Sequence, residues 1–466
     1  MEINRRINYV KFHLFFITLH FLLNNLVLIF LHLMTENNKR RSLMNVEEDR
    51  VSDLPEHLIG SILDRLPIQE VVRTSILSKN WRYKWTTLTT LVLDEKFSNK
   101  FAKNGALGRN GFIRIINQVV LLNKGPISKF SLHIPKTYLY SFHKEVDEWM
   151  LFLSENSVRE LTITNSSRRF ELSSHVSSCS KLRKLSLENC ILRPPLEFKS
   201  FSNLEDLYLK QIDFGAKYRE TLVSLPQLWR LVMVRCTNIH NFNIEARKLN
   251  IFRIINLDAM YVQLLDWLLA TPSITILLLF LAKPFKVLVG VERMNLTRML
   301  SNLPNIRELT FSGDFLKFLT ADKFPKWLPH SLNSLSFLWL ACFELNDLDQ
   351  FHGALCLLRN SPNLERLWMW SQTVRRDVGL ASNHLESPDC LDQTLNRLQT
   401  VQIRYLKGSR PELLFIKLLL AHSPSLIKMT IHPKVCSSLE PHHDIVVGVM
   451  QFPRASPKAE LIFVNC

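Results

Sequence analysis

From residue 88 to residue 431 one short phrase recurs: an apolar residue, two of any kind, an apolar residue, one of any kind, an apolar residue. Thirteen copies begin at Leu88, Ile127, Val158, Leu182, Leu204, Leu228, Leu249, Ile274, Ile306, Leu332, Leu364, Leu398 and Leu426. The alternation at the end of the phrase predicts one short strand per copy, with apolar side chains turned inward and the interleaved ones outward. Successive starts from 158 to 274 differ by 24, 22, 24, 21 and 25 residues, a period at which one supersecondary unit stacks on the next. Later gaps widen to between 26 and 34, which predicts irregular units or insertions. Ser or Pro stands two residues ahead of the phrase at Ser180, Ser202, Pro226, Pro272, Pro304, Pro362 and Pro424. Proline there stops the preceding helix or loop and sends its neighbour into extended backbone. The pattern predicts an α/β chain built as a solenoid: a curved parallel sheet with helices or loops outside.

Ahead of the repeats, residues 49–85 read DRVSDLPEHLIGSILDRLPIQEVVRTSILSKNWRYKW. Asp53 is placed to cap a helix with Glu56 reaching back, and Pro55 in the first turn gives up no helical hydrogen bond. Leu58, Ile62 and Leu66 then share one face, with Ile59 and Leu63 beside it. Pro67 ends this helix. Val72 and Ile76 mark the face of a second, with Val71 alongside, and Ser78 can cap a third short helix bearing Trp81 and Trp85. Three such helices bury too little surface to stand alone and call for a partner.

The segment 49–95 resembles a plant F-box, matching its D-R-[IV]-S-x-L-P and V-R-T-S-x-L-S-x-x-W-R-x-x-W signatures nearly position for position. That resemblance implies docking on a Skp adaptor, and through it on a cullin, a RING subunit and a ubiquitin-conjugating enzyme. The docking residues it implies are Leu54, Pro55, Leu58, Ile59, Ile62, Leu63, Leu66, Pro67, Val71 and Val72, with Ser78, Trp81 and Trp85 shaping the end of the module. For each the competing role is the box's own core, since an amphipathic helix packs inward. The repeats that follow, 96–386, have the spacing of leucine-rich repeats, and Cys190 and Cys236 stand where that class uses Asn or Cys to satisfy turn backbone groups. The tail from Ser387 to Pro433 resembles the FBD domain of plant F-box proteins through Pro388 to Leu391, Val401, Ile403, Gly408, Glu412 and Leu419 to Leu426. Residues 387–466 are then an FBD cap for the open end of the solenoid.

Residues 1–43 contrast with all of this. They contain no Ala, Gly, Pro or Asp. Residues 12–34 are apolar over a length that spans a bilayer, but three His and two Asn interrupt them and the basic flanks are balanced, so no orientation follows. Three readings stand: a dispensable extension ahead of a start at Met44, a membrane anchor, or a targeting segment.

Composition narrows the chemistry. Twelve glycines in 466 residues, with no G-x-G-x-x-G and no phosphate loop, argue against nucleotide folds. Eight scattered cysteines without a C-x-x-C pair indicate neither a zinc site nor a disulfide framework, so thiols reduced in cytoplasm or nucleus are expected. The net charge of +16 is spread out with no run of five basic residues, so nucleic acid is not an expected partner. Glu440, His442, His443 and Asp444 are the nearest thing to a metal cluster, yet adjacent histidines project apart. No nucleophile and base are paired by motif, and neither an enzyme nor a cofactor is expected. Recognition remains. Interleaved strand positions carry Tyr208, Lys210, Arg230, Arg253, Arg366, Trp368, Trp370 and Arg404, the residue types that anchor interfaces, although a one-residue slip would turn them inward. The expected function is a substrate-recognition adaptor of a Skp, cullin and F-box ubiquitin ligase. The alternative is a membrane-anchored or freestanding leucine-rich interaction module uncoupled from ubiquitin.

Overall fold

A computed structural model describes residues 54–77, 81–103, 108–137, 142–172, 174–192, 201–215, 221–238, 242–257, 271–281, 296–320, 327–372, 391, 394–434 and 440–464. The expectations for residues 1–43, Asp53, Ser78, Pro388 and Cys390 lie outside them. The chain divides into two compact units, Met1–Ile59 and Gly60–Cys466. In the first, the carbonyl of Pro55 accepts from Leu58 N at 2.9 Å and Ile59 N at 3.1 Å, opening helix α1 (Glu56–Leu63). In the second, Pro67 leads into the short helix α2 (Ile68–Thr74).

Fourteen strands among the described residues of the second unit form one curved sheet whose order follows the sequence and whose pairs are all parallel. They are β1 (Thr90–Leu93), β2 (Lys129–Ile134), β3 (Glu160–Asn165), β4 (Lys184–Glu188), β5 (Asp206–Lys210), β6 (Arg230–Val234), β7 (Ile251–Leu257), β8 (Ile276–Leu281), β9 (Glu308–Ser312), β10 (Phe337–Phe343), β11 (Arg366–Ser371), β12 (Thr400–Leu406), β13 (Lys428–Pro433) and β14 (Glu460–Phe463). Register explains the phrase. Its second residue makes one continuous ladder, Leu91 beside Phe130 beside Leu161 and so on to Met429 beside Leu461. The third residue makes another, from Leu93 through Ile163 to Phe463. Both ladders are buried down to β13, so each strand adds two apolar side chains to a shared core.

The Ser and Pro positions ahead of the phrase have a sharper role than stopping a helix. In each of these copies the first apolar residue donates to the carbonyl three residues back, as Leu228 N does to Leu225 O at 3.0 Å and Leu364 N to Ser361 O at 3.2 Å. Pro226 and Pro362 are therefore the second residue of a β-turn, where a fixed φ is already correct. At the other end, Asn189, Gln211, Arg235, Asn256, Cys342 and Tyr405 all have φ between 49° and 60°. Each lies two residues beyond the last apolar position. At Asn189, Gln211 and Arg235 the left-handed turn leads the chain off the sheet while the N–H still reaches the next strand, as from Gln211 to Val234 O at 2.7 Å. At Asn256, Cys342 and Tyr405 it is a bulge within the strand, and pairing resumes at Leu257, Phe343 and Leu406.

One copy is corrected by the register. Leu338 pairs with Leu309 and Leu340 with Phe311, so the tenth copy runs Leu335, Leu338 and Leu340, not Leu332, Leu335 and Phe337. Leu332 is instead the residue that accepts in the preceding β-turn, from Leu335 N at 3.1 Å. The strand reads FLWLACF, apolar at every position, so alternation cannot set its phase. The wider gaps elsewhere have a plain cause: helices replace short connections on the far side of the sheet. These are α3 (Glu95–Lys103) and α4 (Gly108–Leu121) before β2, α5 (His143–Glu155) before β3, and α6 (Leu296–Ser301), α7 (Gly313–Thr320) and α8 (Leu348–Arg359) around β9 and β10. Residues resembling the FBD domain carry the same ladder onward, through β12, α9 (Arg410–His422), β13, α10 (Glu440–Met450) and β14.

Within the second unit the helical module is tied to the first strand. The Asp64 carboxylate accepts from Thr89 N at 3.1 Å, Thr89 Oγ1 at 2.7 Å and Thr90 N at 3.2 Å, fixing the start of β1. The third helical element of the module is a 3₁₀ turn, Lys84–Thr87, following Trp81. The backbone of Thr87 passes so close to Gly125 that any Cβ there would lie 2.8 Å from its carbonyl oxygen.

Candidate docking surfaces

The F-box-like residues divide by exposure. Ile59, Leu63, Val71, Trp81 and Trp85 are buried, Leu54 and Val72 half-buried. Pro55, Leu58, Ile62, Leu66 and Pro67 are exposed. Leu58 and Ile62 are four residues apart on α1 and so share a face. Ile76 and Leu77, which the docking set omits, are also exposed, Leu77 to 71%. Several large apolar side chains are thus left in water within one short segment.

The second surface is the sheet face opposite the helices, lined by the interleaved residues. All eight residues expected there occupy it, seven half-buried and Arg366 exposed. They do not form one site. Over β2 to β6 the face is a ladder of matched charges. Glu160 takes both Lys184 at 2.8 Å and Lys129 at 3.3 Å, Lys210 meets Glu188 at 2.6 Å, and Arg230 meets Asp206 at 3.0 Å. The hydrogen bond from Lys184 is the main reason the Glu160 carboxyl sits below its ordinary value, and the bond to Glu188 holds the Lys210 amine above its own. Lys210 and Arg230 are thus satisfied within the chain, and Tyr208 lies between them.

Over β10 to β12 the face turns aromatic. Trp368 pairs in register with Trp339, and Trp370 with Arg404. The Trp339 ring stands edge-on to Trp370 at 4.7 Å and to Trp368 at 6.0 Å. Phe337 meets Trp368 at 5.0 Å and Tyr405 meets Trp370 at 6.1 Å. Arg366 lies 4.7 Å over the Phe337 ring and 3.5 Å from Glu308. Edge-to-face pairs at these distances hold one another in place. Trp339 is the hub, and its Nε1 is buried with no hydrogen-bond partner among the described residues. The mis-phased copy ended on Phe337 as an inward residue, and its phase turned Trp339 inward as well. Aligning LWL of β10 on LWM of β11 would have found them. At the edge of the cluster the Gln402 oxygen, turned toward them, accepts from Arg404 Nε and Nη2 and from His432 Nε2, each at 3.1 Å. Burial, then the Arg404 guanidinium, holds the His432 imidazole below its ordinary value.

Between these regions stands Arg253 on β7, with Val232 and Leu278 beside it in register. Its Nε is buried, with no hydrogen-bond partner among the described residues.

Among the described residues no group of His, Cys, Asp and Glu is placed to hold a metal ion. Nor is any helix among them long and apolar enough to cross a membrane, residues 12–34 lying outside them.

A parallel sheet that gains a strand with each repeat, preceded in sequence by a helical module, defines a solenoid repeat protein. Comparison with known proteins makes this specific. Residues 51–92 match the F-box domain, and residues 124–432 match the LRR domain described as At1g61320/AtMIF1. The F-box/FBD/LRR-repeat protein At1g13570 of Arabidopsis thaliana is 32% identical over 430 residues, 91% of this chain and 100% of the relative. The F-box/FBD/LRR-repeat protein At5g56420 of the same plant is 24% identical over 89% of this chain and 99% of its own length. The FBD-associated F-box protein At5g56370, also from Arabidopsis thaliana, is 26% identical over 89% and 100%. The chain belongs to the plant F-box/FBD/LRR-repeat family.

Proposed function

We propose that this chain is a non-catalytic substrate-recognition adaptor of a Skp, cullin and F-box ubiquitin ligase. The observation that carries the reading is the coincidence of the F-box match, residues 51–92, with exposed Leu58, Ile62 and Leu66. Residues 49–95 dock on the Skp adaptor, residues 96–386 present the repeat face, and residues 387–466 are the FBD portion. The target lies on the aromatic end of the face, around Trp339, Trp368 and Trp370, where rings on three adjacent strands offer anchors of the kind that dominate interfaces. Ubiquitin transfer then rests on proximity: the adaptor raises the local concentration of target lysines near the conjugating enzyme. The working compartment is cytoplasm or nucleus, where Skp and cullin subunits operate.

Co-expression with a Skp adaptor tests the docking half. A complex that survives purification, and is lost on Ile62→Asp with unchanged thermal unfolding of the chain, is the expected result. A folded chain that does not retain the adaptor refutes the reading and leaves a freestanding repeat module.

A further inference from the structure

Charge on the sheet face is paired in one half and left over in the other. Every interleaved cation from β2 to β6 lies against a carboxylate: Lys129 and Lys184 on Glu160, Lys210 on Glu188, Arg230 on Asp206. Beyond β6 this matching stops. Arg366 still has Glu308. Arg253 and Arg404 have no carboxylate partner among the described residues, and Arg253 Nε is buried without any hydrogen bond. Its surroundings supply none: the interleaved neighbours Ile251, Ile255, Val232 and Leu278 are all apolar. A guanidinium is always charged and has five donors to satisfy. Leaving one half-buried among aliphatic side chains costs free energy that an ion pair on the same face would have avoided. Arg404 has only the neutral Gln402 amide.

Resting on the reading that this face captures a target, we propose that the captured element is an acidic segment of a protein. In it, Asp or Glu side chains alternate with large apolar ones. One carboxylate meets Arg253 and a second meets Arg404, and the intervening apolar side chains lie on Leu278, Trp339 and Trp368. Arg253, Arg404 and the exposed Lys428 of β13 are the interleaved cations without a carboxylate partner among the described residues, which sets the sign of the partner. The stretch between the two arginines, apolar and aromatic but for buried Thr310, sets what separates its acids. Five strand spacings separate β7 from β12, on the order of 20 Å, which a short extended segment or a few helical turns can cover. Burying a planar carboxylate against the Arg253 fork makes two parallel charge-assisted hydrogen bonds, so the pairing selects a carboxylate over an amide of the same shape.

The test pans a phage-displayed random-peptide library on the purified full chain, with binding of selected peptides then measured by fluorescence anisotropy. Enrichment of Asp or Glu between apolar residues is expected, with Asp→Asn or Glu→Gln in a selected peptide weakening binding about tenfold or more. On the Arg253→Glu variant the same library should select Lys or Arg instead. Selection without acidic residues, or acidic peptides whose amide forms bind equally well, overturns the proposal using the unmodified chain alone. Acidic peptides that bind Arg253→Glu and Arg404→Glu as tightly as the parent overturn it too. Failure here with the Skp adaptor retained leaves the ubiquitin-ligase reading standing. Acid selection without Skp binding leaves this proposal standing and removes that reading.

Discussion

Glu412 is a buried carboxylate, 1% exposed, at the third position of α9. Its Oε2 accepts from Ser409 N at 2.9 Å, Ser409 Oγ at 3.0 Å and Lys407 N at 3.2 Å, closing a capping box. Its Oε1 accepts from the hydroxyl of Ser371, the last residue of β11. One side chain thus pins the FBD-like helix to the strand carrying Trp368 and Trp370. Replacing Glu412 by Ala leaves two backbone N–H groups without this acceptor, each worth about 1–3 kcal/mol when buried. The Ser409 bond is one half of the capping box, so the cap is already counted, and the summed loss is about 2–6 kcal/mol. Gln behaves differently. Its oxygen can keep the three Oε2 bonds while its amide donates to Ser371, whose hydroxyl rotates to accept. What goes is the charge assistance, about 1 kcal/mol. Urea unfolding followed by tryptophan emission should rank the parent first, Glu412→Gln second and Glu412→Ala last, with the Ala variant well separated. Equal losses for the two variants, or a loss under about 1 kcal/mol for Ala, would refute the network as the reason for burying this carboxylate.

Other outcomes follow from the same structure. Leu63→Ala, at a buried position, should destabilise the helical module by about 2–5 kcal/mol. Ile62→Ala, at an exposed one, should leave unfolding unchanged and weaken Skp binding by about 2 kcal/mol, as isothermal titration would read. Burial holds the His133 imidazole below 6.5 in the folded chain. The unfolded chain therefore takes up the proton first, and stability present above pH 6.5 falls as pH drops toward the folded value. His133→Gln should flatten this slope below pH 6.5 in denaturant titrations. Burial pushes the Cys190 thiol up to about 12 and those of Cys179, Cys236 and Cys356 up to about 11. Half-buried Cys342 should therefore be alkylated ahead of these four in the native chain, as peptide mass spectrometry would show.

Much of the fold was legible because a solenoid writes its core into the sequence as a period. Twelve of the thirteen phrases fall in the register of the ladder, since wherever apolar and polar residues truly alternate only one phase buries the apolar set. The failures are local and share a cause. FLWLACF has no polar residue to mark its outward face, so the tenth copy slipped by three residues and took Trp339 out of view. The last strand escaped because Lys458 occupies the first apolar position of its phrase. The split of the F-box-like residues into buried and exposed was not legible either. Leu58 and Ile59 are adjacent and equally apolar, so no pattern of residue types distinguishes the one that turns inward.

The left-handed residues carry the deepest information that the sequence conceals. Asn189, Asn238 and Asn256 suit φ near 55°, because a short polar side chain tolerates that region. Gln211, Arg235, Cys342 and Tyr405 do not, and each bears roughly 1–2 kcal/mol of strain there. No propensity rule would place a left-handed turn at Tyr405. The sheet imposes it as a bulge, because the pairings on either side, Arg404 with His432 and Leu406 with Pro433, already hold the strand in place. At β12 that bulge has a structural result. It sets the Tyr405 ring 6.1 Å from Trp370, half-exposed at the rim of the aromatic cluster. Geometry required by the sheet thus adds a ring to the aromatic cluster of Trp339, Trp368 and Trp370.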